Sequence, residues 1–331
     1  MDEVNEDLCF PRARTRWLRV LNRLTVPAYR REFDAQVLAR VREFRPDALM
    51  TYKGTPVHAP LLDAVRGMGV FTVNVYPDNS PHAHGAAHAR AIGSYDLVIS
   101  TKPYHPGLWA ERYGYHNACA FVPQGYDAAL HLVDAPRVDP PFDVVLVATW
   151  RAEYGRLMQE FSRHLGDTGI RVAIGGNGWE NQRAGLPGSW DFLGAVRGRA
   201  YVEAVRSGRI CVAPLTREVV IGGEPHPGDV DTTRTYELAA AHCFFLHRRT
   251  EYAQGVYDER TEVPMYDDAK ELAAHVRHFL PREEERRAMA AAAHRRAVPA
   301  HSLDARATDI VALVDRHLVH PARGQTRRPA R

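Results

Sequence analysis

The residues best suited to chemistry lie in one short segment, GDVDTTRTYELAAA at residues 228–241. Its polar residues run into a helix predicted to begin near Thr233, whose unpaired backbone N–H groups and partial positive charge suit a diphosphate. Arg234 in the first turn can add a charge-assisted hydrogen bond to a phosphate. Glu237, one turn later, can accept hydrogen bonds from a ribose diol. The segment predicts a nucleotide-diphosphate site, although Glu237 taken alone also fits an ordinary surface glutamate.

Two other places in the second half could contribute to the same site. Gly176 and Asn177 directly follow a predicted strand that ends at Ile174, where glycines let a backbone approach a phosphate or a base closely. A simple tight turn is the alternative. Arg156 follows another predicted strand, and a guanidinium group matches the geometry of phosphate oxygens. In so arginine-rich a chain, a solvated surface arginine is its alternative.

The first half carries candidates for the acceptor side. Asp78 lies in YPDN at a predicted strand end and could take a proton from an acceptor hydroxyl. Ordinary turn chemistry is its alternative. Lys53 and Lys102 are two of only three lysines in the chain, and both follow predicted strands. We predict that they meet an acceptor or a phosphate anion.

Two patterns raise the possibility of a metal site, and we predict none. His82, His84 and His88 include a pair at i,i+4 spacing, but no carboxylate completes a recognised ligand set nearby. Asp229 and Asp231 form a DxD sequence, which here opens a helix instead of following an apolar strand. A helix N-terminus with arginines can neutralise a leaving diphosphate without a metal.

The elements that must position these residues alternate between short apolar runs and helical periods. The predicted strands of the first half span 48–52, 70–76, 96–101 and 118–122, and those of the second span 144–148, 171–174, 190–193, 210–213, 244–247 and 261–265. Such alternation is typical of parallel sheets with crossover helices. The sequence therefore predicts an α/β fold of two tandem Rossmann-like domains that face a cleft.

Composition shifts predict the domain boundaries. The first domain spans residues 1–134, the Pro-rich segment DAPRVDPP supplies a linker at 135–141, and the second domain spans 142–300. A last helix at 301–320 is predicted to pack back across the domains. The basic tail at 321–331 is predicted to be disordered.

The segment around Glu237 resembles the donor-binding motif of GT-B glycosyltransferases, in which an acidic residue stands eight positions before a glutamate. These positions are Asp229 and Glu237 here. The resemblance implies that Glu237 binds the nucleotide ribose and that Asp229 lies near the donor sugar. This motif usually begins with Glu, and Asp231 competes for the role of Asp229.

Longer stretches resemble the CgeB-like (spore maturation) group of these enzymes. They are RTYELAAAHCFFLHRRTEY in the second half and RPDALMTYKG, VNVYPDN, YDLVISTKPYH and FVPQGYD in the first. The likeness covers about residues 33–318. One departure is that no strand with a Gly-rich loop precedes Phe33, so we expect either a start that is shortened relative to the group or a first domain that lacks its first strand. The residues around Trp17 could instead form an amphipathic helix.

Composition excludes several other classes of protein. The 331 residues are 45% hydrophobic and 25% charged, an ordinary globular mixture, and no apolar run is long enough to span a membrane. We find no signal peptide and expect a cytoplasmic protein. The net charge of +3 is inflated by the basic tail, so we expect no nucleic-acid partner. The four scattered cysteines are expected to be small core residues.

These observations predict a glycosyltransferase of the hexosyltransferase type that moves a sugar from a nucleotide-diphosphate sugar onto an unidentified acceptor. The donor is a substrate, and no cofactor or metal is expected. Two alternatives stay open. One is a nucleotide-sugar epimerase, and the other is a non-catalytic nucleotide- or sugar-binding protein derived from a transferase.

Overall fold

The computed structural model describes residues 3–5 and 16–319, and only the backbone of residues 16–25. The predicted disordered tail and the side chain of Trp17 therefore lie outside the described residues. The chain divides into two compact units, one comprising residues 1–122 and 309–331 and the other residues 123–308. The segment 135–141, predicted as a linker, lies within the second unit.

The first unit is a parallel sheet with crossover helices. Its elements in chain order are α1 (Arg16–Phe44), β1 (Ala48–Tyr52), α2 (Ala59–Gly67), β2 (Phe71–Tyr76), α3 (Ala86–Ile92), β3 (Leu97–Ser100), α4 (His105–Tyr113) and β4 (Ala118–Phe121). The strands are ordered β1-β2-β3-β4, and all neighbouring pairs are parallel. Parallel pairing follows from the helices between the strands, because each crossover returns the chain to the same edge.

Helix α1 covers the core of the first unit with one apolar face. Phe33, Val37 and Val41 recur every four residues along α1 and are buried in the core. Among residues 3–5 and 16–47 no strand is present, and β1 is an edge of the sheet.

The second unit is larger and holds a six-stranded sheet. Its elements are α5 (Ala128–His131), β5 (Phe142–Val147), α6 (Ala152–Leu165), β6 (Val172–Gly175), β7 (Asp191–Gly194), α7 (Arg199–Arg206), β8 (Gly208–Ala213), β9 (Glu218–Ile221), β10 (Glu224–Pro227), α8 (Thr233–Ala240), β11 (Phe245–Arg248), α9 (Glu251–Val256), β12 (Met265–Tyr266), α10 (Ala269–Phe279) and α11 (Glu283–Ala300).

The strand order of this sheet is β12-β11-β8-β5-β6-β7, again with parallel pairing throughout. The chain runs from β5 towards β6 and β7 on one side and then returns to β8 on the other. The order reverses between β5 and β8, and in open α/β sheets ligands bind outside the carboxyl ends of the strands at such a point. The predicted α/β fold with two Rossmann-like sheets is confirmed.

The last helix, α12 (Leu303–Val319), crosses the boundary between the two units in sequence. Val314 near its end is buried against Val73, Leu97 and Ile99 of the first sheet. The final helix thus completes the core of the first unit.

Two local expectations differ from the structure. The residues before α8 form an antiparallel hairpin, β9 with β10, which turns at Gly222 and Gly223 with positive φ at both positions. The strand expected at 261–265 is reduced to β12, because the carboxylate of Asp258 accepts the backbone N–H groups of Arg260 and Thr261 and holds a turn there.

The helices and the cysteines were also considered in the sequence predictions. No helix within the described residues is long and apolar enough to cross a membrane. Cys119, Cys211 and Cys243 are free thiols, and the last two are buried.

Candidate donor and acceptor sites

Arg234 lies where the second sheet reverses its strand order. Its Nη2 donates to the carbonyl oxygen of Pro214, directly after β8, over 3.2 Å. Its Nε is buried without a hydrogen-bond partner among the described residues. A buried N–H group without an acceptor is costly, and an incoming anion would satisfy it.

The start of α8 is held by a buried hydrogen-bond network. Thr235 Oγ1 accepts the backbone N–H of Thr232 over 3.1 Å and lies 2.8 Å from His247 Nε2. His247 Nδ1 lies 2.7 Å from the carbonyl oxygen of Arg248, which can only accept, so Nδ1 carries the proton and Thr235 donates to Nε2. Complete burial and the nearby Arg234 lower the pKa of His247 to about 3. The histidine is therefore neutral, and the network positions the first turn of α8.

Glu237 lies between α8, α7 and α5. Its Oε2 accepts a hydrogen bond from the hydroxyl of Tyr201 over 2.8 Å, and its Oε1 lies 3.7 Å from His131 Nε2. The carboxylate is 14% exposed. Burial and the charge of Glu237 raise the pKa of Tyr201 well above its usual value, so the phenol stays a donor. Tyr201 thus fixes one carboxylate oxygen.

The two aspartates before α8 have different environments. Asp231 is fully buried and accepts a hydrogen bond from the hydroxyl of Tyr236 over 2.8 Å. It therefore supports the fold and is not available to a donor sugar. Asp229 is half-buried, and its backbone N–H donates to the carbonyl oxygen of Thr216 over 2.8 Å. Of the two competing residues, only Asp229 has an accessible side chain.

The glycine segment after β6 packs against the loop after β5. Gly176 has a φ of +121°, and a Cβ atom there would lie 2.0 Å from the carbonyl oxygen of Ala148. Its N–H donates to the carbonyl oxygen of Gly194 over 2.7 Å, and Asn177 accepts the N–H of Trp150 through its own carbonyl oxygen over 2.8 Å. The close approach of the two loops thus explains why residue 176 is a glycine. Its N–H already donates within the protein and is not free to bind a phosphate. The side chain of Asn177 is exposed.

The remaining predicted donor ligands are surface residues. Thr233 is exposed at the first helical position of α8, and Arg156 is exposed on α6. Within the described part of the chain, neither side chain makes a hydrogen bond or an ion pair that would aim it at a ligand. Their role as donor ligands stays a prediction.

The predicted acceptor residues Asp78 and Lys53 meet at the carboxyl ends of β1 and β2. Lys53 Nζ lies 3.1 Å from Asp78 Oδ2, and His84 Nε2 lies 2.7 Å from the same oxygen. Partial burial would raise the pKa of Asp78, but the hydrogen bonds from His84 and Lys53 outweigh it and hold the pKa below its ordinary value. Lys53 has a φ of +62°, which is uncommon for a residue with a side chain. The chain thus brings a carboxylate, an amino group and an imidazole together at this sheet edge.

Lys102 is buried just after β3. Only 1% of the residue is exposed, so it does not present its ammonium group to solvent. Its backbone N–H donates to Ser100 Oγ over 2.9 Å, and Ser100 Oγ lies 2.6 Å from His105 Nδ1. Lys102 thus belongs to the buried end of β3.

The histidines considered for a metal site have separate environments. His84 contacts Asp78, whereas His88 is buried, and burial together with His84 lowers its pKa to about 4. His82 lies against the ring of Tyr113. Within the described residues, no three His, Cys, Asp or Glu side chains are grouped so that they could hold a metal.

Sequence reasoning missed the partners of the candidate residues. Tyr201 and His131 contact Glu237, and His84 contacts Asp78 as a hydrogen-bond partner and not as a metal ligand. Tyr201 lies 36 positions before Glu237. A sequence pattern of a few residues cannot predict a contact between residues so far apart in the chain.

Part of the chain is similar in sequence to a known protein family. Residues 151–312 match the sequence model of a family described as glycosyl transferase-like. Curated protein sequences gave no match.

Solved structures resemble most of the chain. Sucrose-phosphate synthase from Thermosynechococcus elongatus is 13% identical, with 88% of this chain and 79% of that one covered and a TM-score of 0.60. HepE of Anabaena, solved with UDP and glucose, is 14% identical over 86% and 81% of the two chains, with a TM-score of 0.62. A glycosyltransferase from Rickettsia africae is 10% identical over 87% and 81%, with a TM-score of 0.61. The chain therefore has the GT-B glycosyltransferase fold, and its residues 151–312 match a glycosyl transferase-like family.

Proposed function

We propose that this protein transfers a sugar from a nucleotide-diphosphate sugar to an acceptor hydroxyl. The observation that carries the proposal is the position of Arg234. Its guanidinium group lies at the end of β8 with a buried and unsatisfied Nε, beside the first turn of α8. A diphosphate oxygen would satisfy this donor and meet the partial positive charge of the helix N-terminus.

Glu237 would bind the ribose in this proposal. Tyr201 occupies one carboxylate oxygen, and among the described residues the other oxygen has one polar neighbour, His131 at 3.7 Å. That second oxygen can accept a hydrogen bond from a ribose hydroxyl. Asp229 would lie near the donor sugar, and Thr233, Asn177 and Arg156 would be outer contacts.

The group formed by Asp78, Lys53 and His84 would serve the acceptor. The acceptor oxygen forms a bond to the anomeric carbon, the bond from that carbon to the diphosphate breaks, and the acceptor proton passes to Asp78. The negative charge that develops on the diphosphate would be stabilised by Arg234. Lys53 keeps Asp78 ionised before the reaction, and a positioned base contributes roughly 100-fold to 10,000-fold to such a rate.

The finer assignments rest on the sequence resemblance. We infer a hexosyl donor, a reaction without a metal, and membership of the CgeB-like group. HepE was solved with UDP and glucose, which supports testing UDP and UDP-glucose first on this chain.

The test is a thermal-shift screen with nucleoside diphosphates and nucleotide sugars. A donor at about 100 times its dissociation constant should stabilise the fold by roughly 2.7 kcal/mol. We expect one nucleotide series to shift the melting temperature, Glu237→Ala to abolish the shift, and Glu160→Ala, an exposed helix glutamate, to keep it. Absence of any shift across the panel would contradict the proposed donor site.

Product analysis then separates transfer from the two alternatives. Incubation with the identified donor and a mixed panel of hydroxyl acceptors should give a glycosylated product and free nucleoside diphosphate. An isomerised donor formed without any acceptor would indicate an epimerase. Binding without turnover would indicate a non-catalytic protein.

A further inference from the structure

A second cationic site lies at the opposite edge of the second sheet. The strands of this sheet are parallel, so their amino ends share the edge opposite the one that holds Arg234. Pro140, Gly208 and Phe244, at the starts of β5, β8 and β11, line a cavity of about 80 Å³. About 10–15 Å³ of such volume holds one water molecule, so the cavity has room for a small polyatomic ion.

The charge of this cavity is strongly positive. We call it the arginine cavity, and its charged lining consists of five arginines and two carboxylates, namely Arg137, Arg206, Arg209, Arg286, Arg287, Asp139 and Glu283. Carboxylates pair with three of these arginines: Arg287 with Glu283 at 2.5 Å, Arg209 with Asp143 at 3.6 Å and Arg137 with Glu203 at 3.6 Å. Among the described residues, Arg206 and Arg286 form no ion pair with a carboxylate.

Two buried nitrogen atoms of the cavity are unsatisfied. Nε of Arg206 and Nδ1 of His242 are buried and have no hydrogen-bond partner among the described residues. Arg286, only 6% exposed, is held in place because its Nη1 donates to the carbonyl oxygens of Phe279 and Leu280, both at 2.5 Å. A buried polar atom without a partner is costly, and both atoms can be satisfied by one acceptor-rich ligand.

His242 occupies a backbone position that usually belongs to glycine. It follows Ala241, the residue that caps α8, and has a φ of +58°. Glycine is the usual residue at a left-handed position after a helix, because it has no Cβ. The imidazole instead stacks on His294 with ring centroids 4.5 Å apart. Burial, and after it the neighbouring His294 and Arg206, lower the pKa of His242.

We propose that the arginine cavity binds a phosphate-sized oxyanion, either free or as the terminal phosphate of a larger ligand, at a site separate from the donor site. Arg206 Nε supplies one unsatisfied donor, His242 supplies a second in the tautomer that carries its proton on Nδ1, and Arg286 supplies fixed charge. Charge-assisted hydrogen bonds to an oxyanion are about twice as strong as neutral ones. The proposal does not depend on the transfer reaction, because the cavity lies at the other end of the strands.

The experiment is isothermal titration of the intact protein with inorganic phosphate, in a low-salt buffer without other oxyanions. We expect saturable binding at one site. Arg206→Gln and His242→Gly should each weaken it about tenfold or more, since each removes a hydrogen bond with a charged group. His242→Gly should at the same time raise the melting temperature of the free protein, because glycine relieves the positive φ.

Arg234→Gln is the matched control, since it removes the candidate phosphate ligand of the donor site and should leave this affinity unchanged. A parallel titration with AMP separates the two sources of the anion, because only a ligand that projects from the cavity mouth can bind through a terminal phosphate. Absence of saturable binding at millimolar phosphate would overturn the proposal. Wild-type affinity in both cavity variants, or loss of affinity in Arg234→Gln, would do the same.

Discussion

The hydroxyl of Tyr201 donates a hydrogen bond to Oε2 of Glu237 over 2.8 Å and so fixes the carboxylate that we assign to the ribose. Tyr201→Phe should weaken binding of the donor nucleotide by up to about tenfold, because a hydrogen bond to a charged group contributes roughly 1.5–3 kcal/mol and part of it is recovered by water. Titration calorimetry with the nucleoside diphosphate measures this. Unchanged affinity in Tyr201→Phe would mean that the pair plays no part in donor binding.

Arg234 should contribute to the affinity for the diphosphate and not to the affinity for the nucleoside. Arg234→Lys keeps the positive charge but loses the planar guanidinium group whose Nε is unsatisfied. We expect the affinity for the nucleoside diphosphate to fall about tenfold and the affinity for the nucleoside alone to stay the same. Equal losses for both ligands would place Arg234 away from the phosphates.

Asp78 should affect turnover and not donor binding. Asp78→Asn should lower kcat for transfer by about 100-fold or more and leave the donor dissociation constant unchanged. The pKa of Asp78 is held below its ordinary value of 3.8 by His84 and Lys53, so the carboxylate is ionised throughout the neutral range. A pH–rate profile should therefore show no acidic limb from this residue above about pH 4. Full activity in Asp78→Asn would exclude it as the base.

His247 should make the stability of the fold depend on pH. Its ordinary pKa is 6.5 and its pKa in the folded state is about 3. Above pH 6.5 both states are neutral, whereas below it only the unfolded state takes up a proton. The free energy of unfolding should therefore fall by about 1.4 kcal/mol per pH unit between pH 6.5 and 3.

Urea denaturation at pH 7, 6 and 5 tests this contribution. His88 and His301, whose pKa values are both lowered to about 4, add slopes of the same sign. The contribution of His247 is the difference between the wild type and His247→Gln. The same slope in both proteins would show that His247 accepts a proton in the folded state.

Gly176 should tolerate no side chain. Gly176→Ala would place a Cβ atom 2.0 Å from the carbonyl oxygen of Ala148, and the backbone would have to move. We expect a loss of about 3 kcal/mol or more in the free energy of unfolding, or no folded protein. Gly166→Ala is the matched control, because it also has a positive φ of +69° but nothing lies within 4 Å of the added atom. Equal effects of both substitutions would mean that φ alone, and not the close contact, explains Gly176.

Elements that depend on near neighbours along the chain could be predicted from the amino-acid sequence. Apolar runs of strand length predicted β1 at its observed bounds and most other strands to within two residues, because strand burial follows from the local run of side chains. The side chain of Thr235 accepts the backbone N–H of Thr232 at the N-terminus of α8. The two residues are three positions apart, so a local sequence pattern can indicate such a contact. The motif around Arg234 and Glu237 was visible for the same reason.

Which residues share a site became known from the packing of the sheets and helices. It placed Tyr201 against Glu237 across 36 positions, buried Lys102 and Asp231, and brought Arg206 beside His242 in the arginine cavity. Residue type and spacing cannot separate a buried lysine from an exposed one, because burial depends on elements that are distant in sequence. Local preferences thus define helices and strands, whereas hydrogen-bond partners, accessible charge and cavities exist only after the sheets and helices have packed.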